Sequence, residues 1–328
     1  MTNAKWIFGL LTACLIWPAT AIAIPYSNLY VFGDSLSDTG NMYAATGGIL
    51  PPAPYYDQGR SSNGPLWVEQ LSPRLGLPYQ QSTNYSWLGA GTGYNNAWDL
   101  DGPAGVDFWG LSDEINYFLT STGGMADPNA LYVVWAGPND FISITDPTQI
   151  PAAIANGVNN IATAVATLNA IGAQHFLVPN MPDLGLTPRA SAFGLSESLS
   201  AVTTAYNGYL DIALMSLGLD IITPDTAGLI RDIAADPFAY GLTNASDACF
   251  NELILYAGGV PTICADPQNY LFWDTLHPTT AGHTLMANLF AEALGVPEPD
   301  TYVLLLFGLT IVVGMRVKKN QLSTLSLA

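Results

Sequence analysis

Basic residues are scarce in this sequence. Its 328 residues include eight Lys and Arg against 26 Asp and Glu. Between residues 24 and 299 there is no lysine, and four arginines face 25 acidic residues, which gives this part a net charge of −21. Such a surface repels nucleic acid and anionic membranes, so neither is an expected partner. The four arginines are Arg60, Arg74, Arg189 and Arg231.

The N-terminal end lacks an apolar run long enough to cross a membrane. Lys5 precedes a run from Trp6 to Trp17, which is shorter than the roughly 20 residues that a spanning helix needs. Ala21-Ile22-Ala23 then matches the small-x-small pattern of a signal-peptidase site. These features predict a cleaved secretory signal over residues 1–23. A membrane anchor is one alternative. Lipoprotein processing at Cys14 is another, and it is disfavoured because apolar sequence continues past this cysteine.

The C-terminal apolar run is short as well. Val296-Pro297-Glu298-Pro299 precedes a run of 14 residues, Tyr302 to Met315, and then Arg316, Lys318 and Lys319, whose charge places this end in the cytoplasm. The arrangement over residues 296–319 resembles the PEP-CTERM sorting signal of Gram-negative bacteria, with residues 320–328 as a cytoplasmic tail. The resemblance implies processing by an exosortase, transient membrane anchoring and association with exported polysaccharide at the cell surface. A plain tail anchor is the alternative.

Cysteine is rare too, with three in the chain. Removal of the signal would take away Cys14 and leave Cys249 and Cys264 as one pair in an oxidising compartment. We therefore expect a Cys249–Cys264 disulfide, with two buried free thiols as the alternative.

Short apolar runs that end near glycine alternate with helical patterns. The runs Leu29 to Phe32, Leu131 to Trp135 and His175 to Val178 predict buried strands. Helical patterns cover residues 152–171, 196–217 and 280–294, the last with Thr279 as its cap, and a brief strand is expected at 219–222. The alternation predicts an α/β fold, a three-layer α/β/α sandwich with a mostly parallel sheet, in one domain over residues 24–295. Residues 41–66 and 236–270 are expected to be long loops that wall a pocket.

Residues suited to nucleophilic catalysis follow the first strand. Ser35, in Gly33-Asp34-Ser35, is expected at a helix start, where its backbone N–H and the helix dipole favour an oxyanion. Asp274 precedes His277 by three residues, a spacing that lets the carboxylate orient the imidazole as a base. His175 is expected in the core and His283 near a helix start. Nothing in the spacing of these three histidines supports a zinc site.

Together these blocks resemble the GDSL (SGNH) hydrolase family across about residues 29–294. Gly33-Asp34-Ser35-Leu36 is similar to its first block, Asn84 to Ala90 to its second, Gly137-Pro138-Asn139-Asp140 to its third, and the Asp274/His277 pair to its last. The resemblance implies the flavodoxin-like SGNH hydrolase fold and a Ser35–His277–Asp274 triad. It also implies an oxyanion hole formed by the N–H groups of Ser35 and Gly89 with the Asn139 amide. Leu88 departs from the small residue that is common there.

These residues predict an esterase or lipase that cleaves lipid or small acyl esters without a metal or an organic cofactor. Asp34 and Asp38, next to the nucleophile, are expected to bond to local backbone. The alternatives on the same triad are a deacetylase or an acyltransferase that acts on exported polysaccharide. A non-catalytic surface protein that binds carbohydrate is the third alternative.

Overall fold

The computed structural model of the protein describes residues 26–142 and 144–296. The predicted signal peptide at residues 1–23 and the predicted tail at 320–328 lie outside these residues, and so does the predicted sorting signal apart from Val296. Across the described ranges, no helix is both long enough and apolar enough to cross a membrane.

A parallel sheet forms the centre of the fold. Its strands β1 (Leu29–Gly33), β2 (Leu131–Trp135), β3 (His175–Leu177) and β4 (Ile221–Ile222) are neighbours in chain order. An extended segment, residues 84–87, runs beside the other edge of β1, where the N–H groups of Tyr85 and Trp87 donate to the carbonyls of Val31 (2.8 Å) and Gly33 (3.0 Å). If this segment is counted as the second of five strands along the chain, the strands lie in the spatial order 2-1-3-4-5. This is the order of flavodoxin-like folds.

A second, small sheet lies beside the first. Strands β5 (Asn244–Ala248) and β6 (Tyr270–Phe272) pair in parallel within it. Because β6 is followed directly by residues 273–279, this sheet holds the start of the segment that carries Asp274 and His277.

Ten α-helices connect and cover these strands in the described part of the chain. They are α1 (Asn41–Ala45), α2 (Trp67–Arg74), α3 (Leu111–Ser121), α4 (Asn139–Ile142), α5 (Ile150–Ala170), α6 (Pro188–Ala192), α7 (Ser196–Ser216), α8 (Thr226–Ala235), α9 (Glu252–Tyr256) and α10 (Thr280–Ala293).

The long helices match the sequence predictions closely. α5, α7 and α10 lie within two residues of their predicted bounds, and the Thr279 hydroxyl accepts the N–H of Gly282 (3.1 Å) as the predicted cap of α10. Strand β4 is shorter than predicted. The segments 41–66 and 236–270 are less irregular than predicted, because they contain α1, β5 and α9.

Both faces of the sheet are buried. In β2, alternate side chains enter different cores: Val133 and Trp135 belong to one, Tyr132 and Val134 to the other. The first core is completed by α2, α8 and α10, and the second by α3, α5 and α7. The predicted three-layer α/β/α sandwich is therefore confirmed.

Candidate active site

Ser35 lies in a tight turn at the end of β1. A Cβ atom on Gly33 would lie 2.1 Å from the carbonyl oxygen of Trp135, so only glycine lets the end of β1 approach β2 this closely. The carbonyl of Asp34 then accepts the N–H groups of Ser37 (2.9 Å) and Asp38 (3.0 Å). These bonds form a single turn that contains Ser35.

The prediction that Ser35 starts a helix is wrong, because α1 begins at Asn41. The Asp38 carboxylate accepts the N–H groups of Gly40 (2.8 Å), Asn41 (2.6 Å) and Met42 (3.1 Å). Because the Asp38 carboxylate accepts these N–H groups, a new helix can start at Asn41. The turn that contains Ser35 therefore does not continue into a helix. The helix dipole therefore does not act on the serine as the sequence suggested.

His277 and Asp274 meet Ser35 from the far end of the chain. The Nε2 atom of His277 lies 2.8 Å from the Ser35 Oγ, and its Nδ1 lies 2.7 Å from Oδ2 of Asp274. The other carboxylate oxygen of Asp274 accepts the backbone N–H groups of Leu276 (2.8 Å) and His277 (2.6 Å). Those two bonds fix the turn, so the three residues predicted from sequence form one continuous hydrogen-bonded chain.

Asp274 and His277 each stabilise the charged form of the other. Asp274 is fully buried, which disfavours its charged form, but the charge and hydrogen bond of His277 outweigh burial and lower the pKa of the carboxyl. Burial likewise opposes protonation of His277, yet the Asp274 carboxylate raises the pKa of the imidazole above its usual 6.5. Because an ionised Asp274 can only accept, Nδ1 carries the proton of the neutral ring and Nε2 faces Ser35 as a base.

Gly89 lies beside the serine in a left-handed conformation, with φ of 82°. A Cβ atom there would come within 2.5 Å of Oδ1 of Asn96, so glycine is required. The Asp38 carboxylate accepts the N–H of Leu88 (2.8 Å) and thereby links this turn to that of Ser35. In the described ranges, the N–H groups of Gly89 and Ser35 donate to no protein acceptor.

Asn139 is the first residue of α4, just after the end of β2. One N–H of its amide donates to the carbonyl of Ala90 (3.0 Å), which orients the group and leaves the second N–H available. Ser35, Gly89 and Asn139 all line one cavity, which His277 also borders. The three predicted oxyanion donors therefore border the same space.

Two carboxylates, those of Glu114 and Asp140, hold these segments together through contacts that the sequence did not predict. Glu114 of α3 accepts the N–H groups of Gly33 (2.7 Å) and Trp87 (3.2 Å), and burial raises its pKa well above the usual value. Asp140 accepts both the N–H (2.9 Å) and the hydroxyl (2.6 Å) of Thr92. Glu114 did leave a signal in the sequence, because it interrupts the apolar stripe of α3 that contains Leu111, Ile115 and Phe118.

Arg189, Glu252 and Tyr56, whose contacts the sequence did not predict, support the histidine segment from the wall of the smaller cavity. The guanidinium of Arg189 donates to the hydroxyl of Thr275 (3.1 Å) and to Glu252 (2.6 Å), and the Glu252 carboxylate in turn accepts the N–H of Thr275 (2.8 Å). The hydroxyl of Tyr56 donates to Oδ2 of Asp274 (2.6 Å). These partners are far apart in sequence, so no local pattern could have shown them.

The disulfide-forming pair lies near the same segment. Cys249 and Cys264 are joined, with their Cα atoms 4.8 Å apart. The N–H groups of Cys249 and Phe250 donate to the carbonyls of Phe272 (3.0 Å) and Trp273 (2.9 Å), directly before Asp274.

The other two histidines lie elsewhere. His175 is half-buried at the start of β3, with its ring edge-on to Tyr26. His283 is fully buried in α10, and burial lowers its pKa to about 3. Among the described residues, no group of three or more His, Cys, Asp or Glu side chains is arranged to hold a metal.

Two cavities meet at Ser35, Asn139 and His277. The larger has a volume of about 720 Å³ and extends along the carboxyl edge of the sheet between α4, α6 and α7, with mostly apolar walls. The smaller, of about 270 Å³, is more polar. Its lining residues include Tyr56, Gly89, Trp98, Asp101, Arg189, Glu252 and Tyr256. In open α/β folds, ligands bind at this edge and at the point where strand order reverses, which here lies between β1 and β2.

Comparison with known proteins identifies the family. The model of the GDSL-like lipase/acylhydrolase family matches residues 29–290. The chain is 28% identical to a phosphatidylcholine-sterol acyltransferase from Aeromonas hydrophila over 86% of this chain and 95% of that protein. It is 26% identical to a thermolabile hemolysin from Vibrio parahaemolyticus (85% and 66% covered) and 29% identical to the esterase EstA from Pseudomonas aeruginosa (88% and 50% covered). The chain thus spans nearly the whole of the first relative and about half of the last.

Proposed function

This chain belongs to the GDSL-like lipase/acylhydrolase family, and from that membership we propose that it cleaves carboxylic esters through an acyl-enzyme on Ser35. The observation that carries the proposal is the continuous chain of hydrogen bonds from Ser35 through His277 to Asp274. Nucleophile, base and orienting carboxylate each lie within hydrogen-bonding distance of the next, as acyl transfer by a serine requires.

The first half of the reaction forms the acyl-enzyme. The Ser35 Oγ attacks the ester carbonyl carbon while its proton passes to Nε2 of His277, and the Asp274 carboxylate stabilises the imidazolium. The N–H groups of Ser35 and Gly89 and the free amide N–H of Asn139 stabilise the negative charge on the former carbonyl oxygen by hydrogen bonds. The carbon–oxygen bond to the alcohol then breaks, and His277 donates its proton to the leaving oxygen.

The second half releases the acid. Water gives a proton to Nε2 of His277 and attacks the acyl carbon, which forms a second oxyanion in the same hole. When that intermediate collapses, the proton returns to Ser35 and the carboxylic acid leaves. The enzyme then has the same protonation state as at the start.

The test compares Ser35→Ala with Ser216→Ala, using p-nitrophenyl butyrate and a fluorophosphonate label. Ser216 is a matched control because its exposed hydroxyl at the end of α7 donates to the carbonyl of Ala213 and borders neither cavity. We expect Ser35→Ala to lose both turnover and labelling, and Ser216→Ala to keep both. Unchanged hydrolysis by Ser35→Ala would refute the mechanism, and failure of the native protein to react with the label would favour the carbohydrate-binding alternative.

Acyl transfer is a second candidate on the same acyl-enzyme. It is favoured by the smaller polar cavity next to His277, which can hold an acceptor alcohol in place of water, and by the Aeromonas hydrophila relative, which is named as an acyltransferase. Glycerol added to the butyrate assay would yield a glyceryl butyrate if this is correct and only butyrate if water is the acceptor. Release of acetate from an acetylated polysaccharide would instead support the deacetylase alternative.

We also propose that the chain is exported by a Gram-negative bacterium and held transiently in the membrane through residues 296–319. The small-x-small site after residue 20, the C-terminal motif with its apolar run and basic residues, and the Cys249/Cys264 pair support this location. An exosortase would then process the C-terminal signal, and exported polysaccharide would be a neighbour at the surface. Mass spectrometry of the protein from the cell envelope would test both cleavages.

A further inference from the structure

The two cavities at Ser35 differ in chemistry in a way that bears on the substrate. We propose that the larger cavity binds the acyl chain of the ester as a linear alkyl group of medium or long length, and that Leu199 and Val202 limit this length. The polar cavity then holds the alcohol. This inference rests on the proposed function, because it assigns the two sides of the bond that Ser35 attacks.

The walls of the larger cavity suit a hydrocarbon chain. Leu184, Leu199, Val202 and Leu276 contribute apolar side chains. The carboxylate of Asp183 also borders it but is fully engaged, with Gly185, Ser200 and Arg231. The four apolar side chains are half-buried, and contact with a hydrocarbon chain would remove more of their surface from water. Such a wall stabilises methylene groups and disfavours hydroxyls, which would lose their hydrogen bonds to water.

The size of the cavity exceeds what a short acyl group needs. A chain of twelve carbons, counted at about 30 Å³ for each water-sized group, fills about 360 Å³, or half of this cavity. An acetyl group would leave nearly all of the apolar wall without contacts. The volume of about 720 Å³ therefore favours medium and long chains over acetate.

The cavity has an apolar rim. Ile142, Phe193 and Leu195 line it, yet their exposed fractions are 49%, 62% and 46%. They mark the opening to solvent, on either side of the space between α4 and α7. Such side chains would contact the end of a chain that is longer than the cavity, or the surface of an ester droplet.

The smaller cavity has a larger share of polar groups in its wall than the larger one. Asp101 and Glu252 border it alone, and Arg189, the ion-pair partner of Glu252, borders both cavities. The rings of Trp98 and Tyr256 meet edge-on in its wall, with centroids 6.3 Å apart. This combination suits a hydroxylated alcohol of limited size. An alkyl chain placed there would remove water from Asp101 and offer it no hydrogen bond in return.

The main test uses p-nitrophenyl esters from acetate to hexadecanoate with the full chain. We expect kcat/KM to rise by up to about fourfold for each added methylene between butyrate and octanoate, the value expected for burial of a CH₂ group. In Leu199→Trp and in Val202→Phe, the ratio of kcat/KM for dodecanoate to that for butyrate should fall by about tenfold. Ala201→Trp, on the exposed side of α7 and outside the cavity, is the matched control and should leave the ratio unchanged.

Three results would overturn the proposal. One is a kcat/KM that is highest for acetate and falls with each methylene. The second is an equal change in the ratio in Leu199→Trp and Ala201→Trp. The third is a preference for long chains that appears with alkyl acetates, where the chain is on the alcohol, and not with acyl esters.

Binding of uncleaved ketones separates this inference from the proposed mechanism. The neutral ketones 2-hexanone and 2-decanone can be titrated calorimetrically into the native protein and Leu199→Trp. Tighter binding of 2-decanone by the native protein, reduced in Leu199→Trp, supports the cavity assignment even if Ser35→Ala were to retain turnover. Equal affinity for the two ketones would refute the assignment, even if the serine mechanism held.

Discussion

Asn139 differs from the triad residues because its proposed role is limited to the transition state. Its amide is oriented by the Ala90 carbonyl and has one N–H free for the oxyanion. Asn139→Ala should lower kcat by roughly 10²–10³ with little change in KM, as expected for the loss of one oxyanion donor. Steady-state kinetics with p-nitrophenyl butyrate would measure this effect.

Asn116→Ala is the matched control, because its exposed amide in α3 donates to the hydroxyl of Tyr94, away from the site. It should keep the native kcat. A higher KM with an unchanged kcat in Asn139→Ala would instead make Asn139 a contact to the ground state of the substrate.

The protonation state of His277 sets the pH dependence. Burial opposes the imidazolium, but Asp274 favours it more strongly and raises the pKa of His277 above 6.5. Because the reaction needs the neutral ring as a base, kcat/KM should be low at acid pH and rise as the pH passes through this raised pKa. A pH profile of kcat/KM would show the inflection above pH 6.5.

Asp274→Asn tests the origin of that inflection. Removal of the charge should move it to lower pH, and the loss of the correct tautomer should lower kcat by about 10⁴-fold. An inflection that stays in place or moves to higher pH would mean that another group controls the profile.

Among the structural elements, the segment between β6 and α10 carries Asp274 and His277. It is held by Arg189 and Glu252, neither of which belongs to the triad. Arg189 contacts Thr275 and Glu252 through two nitrogens, and a lysine has one ammonium for both. Arg189→Lys should therefore displace the His277 segment and lower kcat/KM roughly tenfold or more, with the inflection of the pH profile unchanged.

Arg60→Lys is the control for Arg189→Lys, because Arg60 also bridges two carboxylates, Asp57 and Glu69, outside the triad segment. Its kcat/KM should remain near the native value. Equal losses in the two variants would indicate a general loss of stability and would contradict a positioning role for Arg189.

The disulfide closes a sequence separation of 15 residues next to β6. In the chain-entropy model such a loop contributes about 3 kcal/mol to the free energy of unfolding. The double variant Cys249→Ser/Cys264→Ser should lose about that amount in guanidinium denaturation, with the slope of the transition nearly unchanged. Two free thiols in the non-reduced native protein, found by mass spectrometry, would contradict the expected pairing.

Local sequence patterns predicted some elements well and others poorly. β1 and β2 were predictable because parallel strands buried on both faces appear as continuous apolar runs. The extended segment at residues 84–87 contains Asn84 and Ser86, and it is recognised as part of the sheet only from its bonds to β1. The local backbone bonds predicted for Asp38 are present, but they start α1 at Asn41 and not a helix at Ser35.

For the molecule as a whole, the strand order brings distant blocks together. Gly89 and Asn139 reach Ser35 because the segment 84–87 and β2 lie on opposite sides of β1. The residues that the sequence motifs singled out lie together at the candidate site. The partners that hold them, such as Glu114 and Arg189, could not be predicted because their contacts form only after folding brings separate segments together.

The described fold encloses the complete candidate site without residues 297–328. Its last helix, α10, ends at Ala293, and every group of the proposed triad and oxyanion hole lies between Ser35 and His277. A chain that ends after Val296 should therefore fold and hydrolyse p-nitrophenyl butyrate with the native kcat/KM, because a domain carries its own core and site.

The chain that ends after Val296 should also differ from the full chain in its location in the cell. Expressed in the bacterium, the shortened chain is expected in the medium or periplasm and the full chain in the membrane fraction before processing, because the apolar run and basic residues after Pro299 form the proposed anchor. Substitution of Arg316, Lys318 and Lys319 by Gln in the full chain is a second test of the anchor, since it should impair retention and leave hydrolysis intact. A shortened chain with a native circular dichroism spectrum but no ester hydrolysis would show that the C-terminal residues take part in catalysis, and would refute this division of the chain.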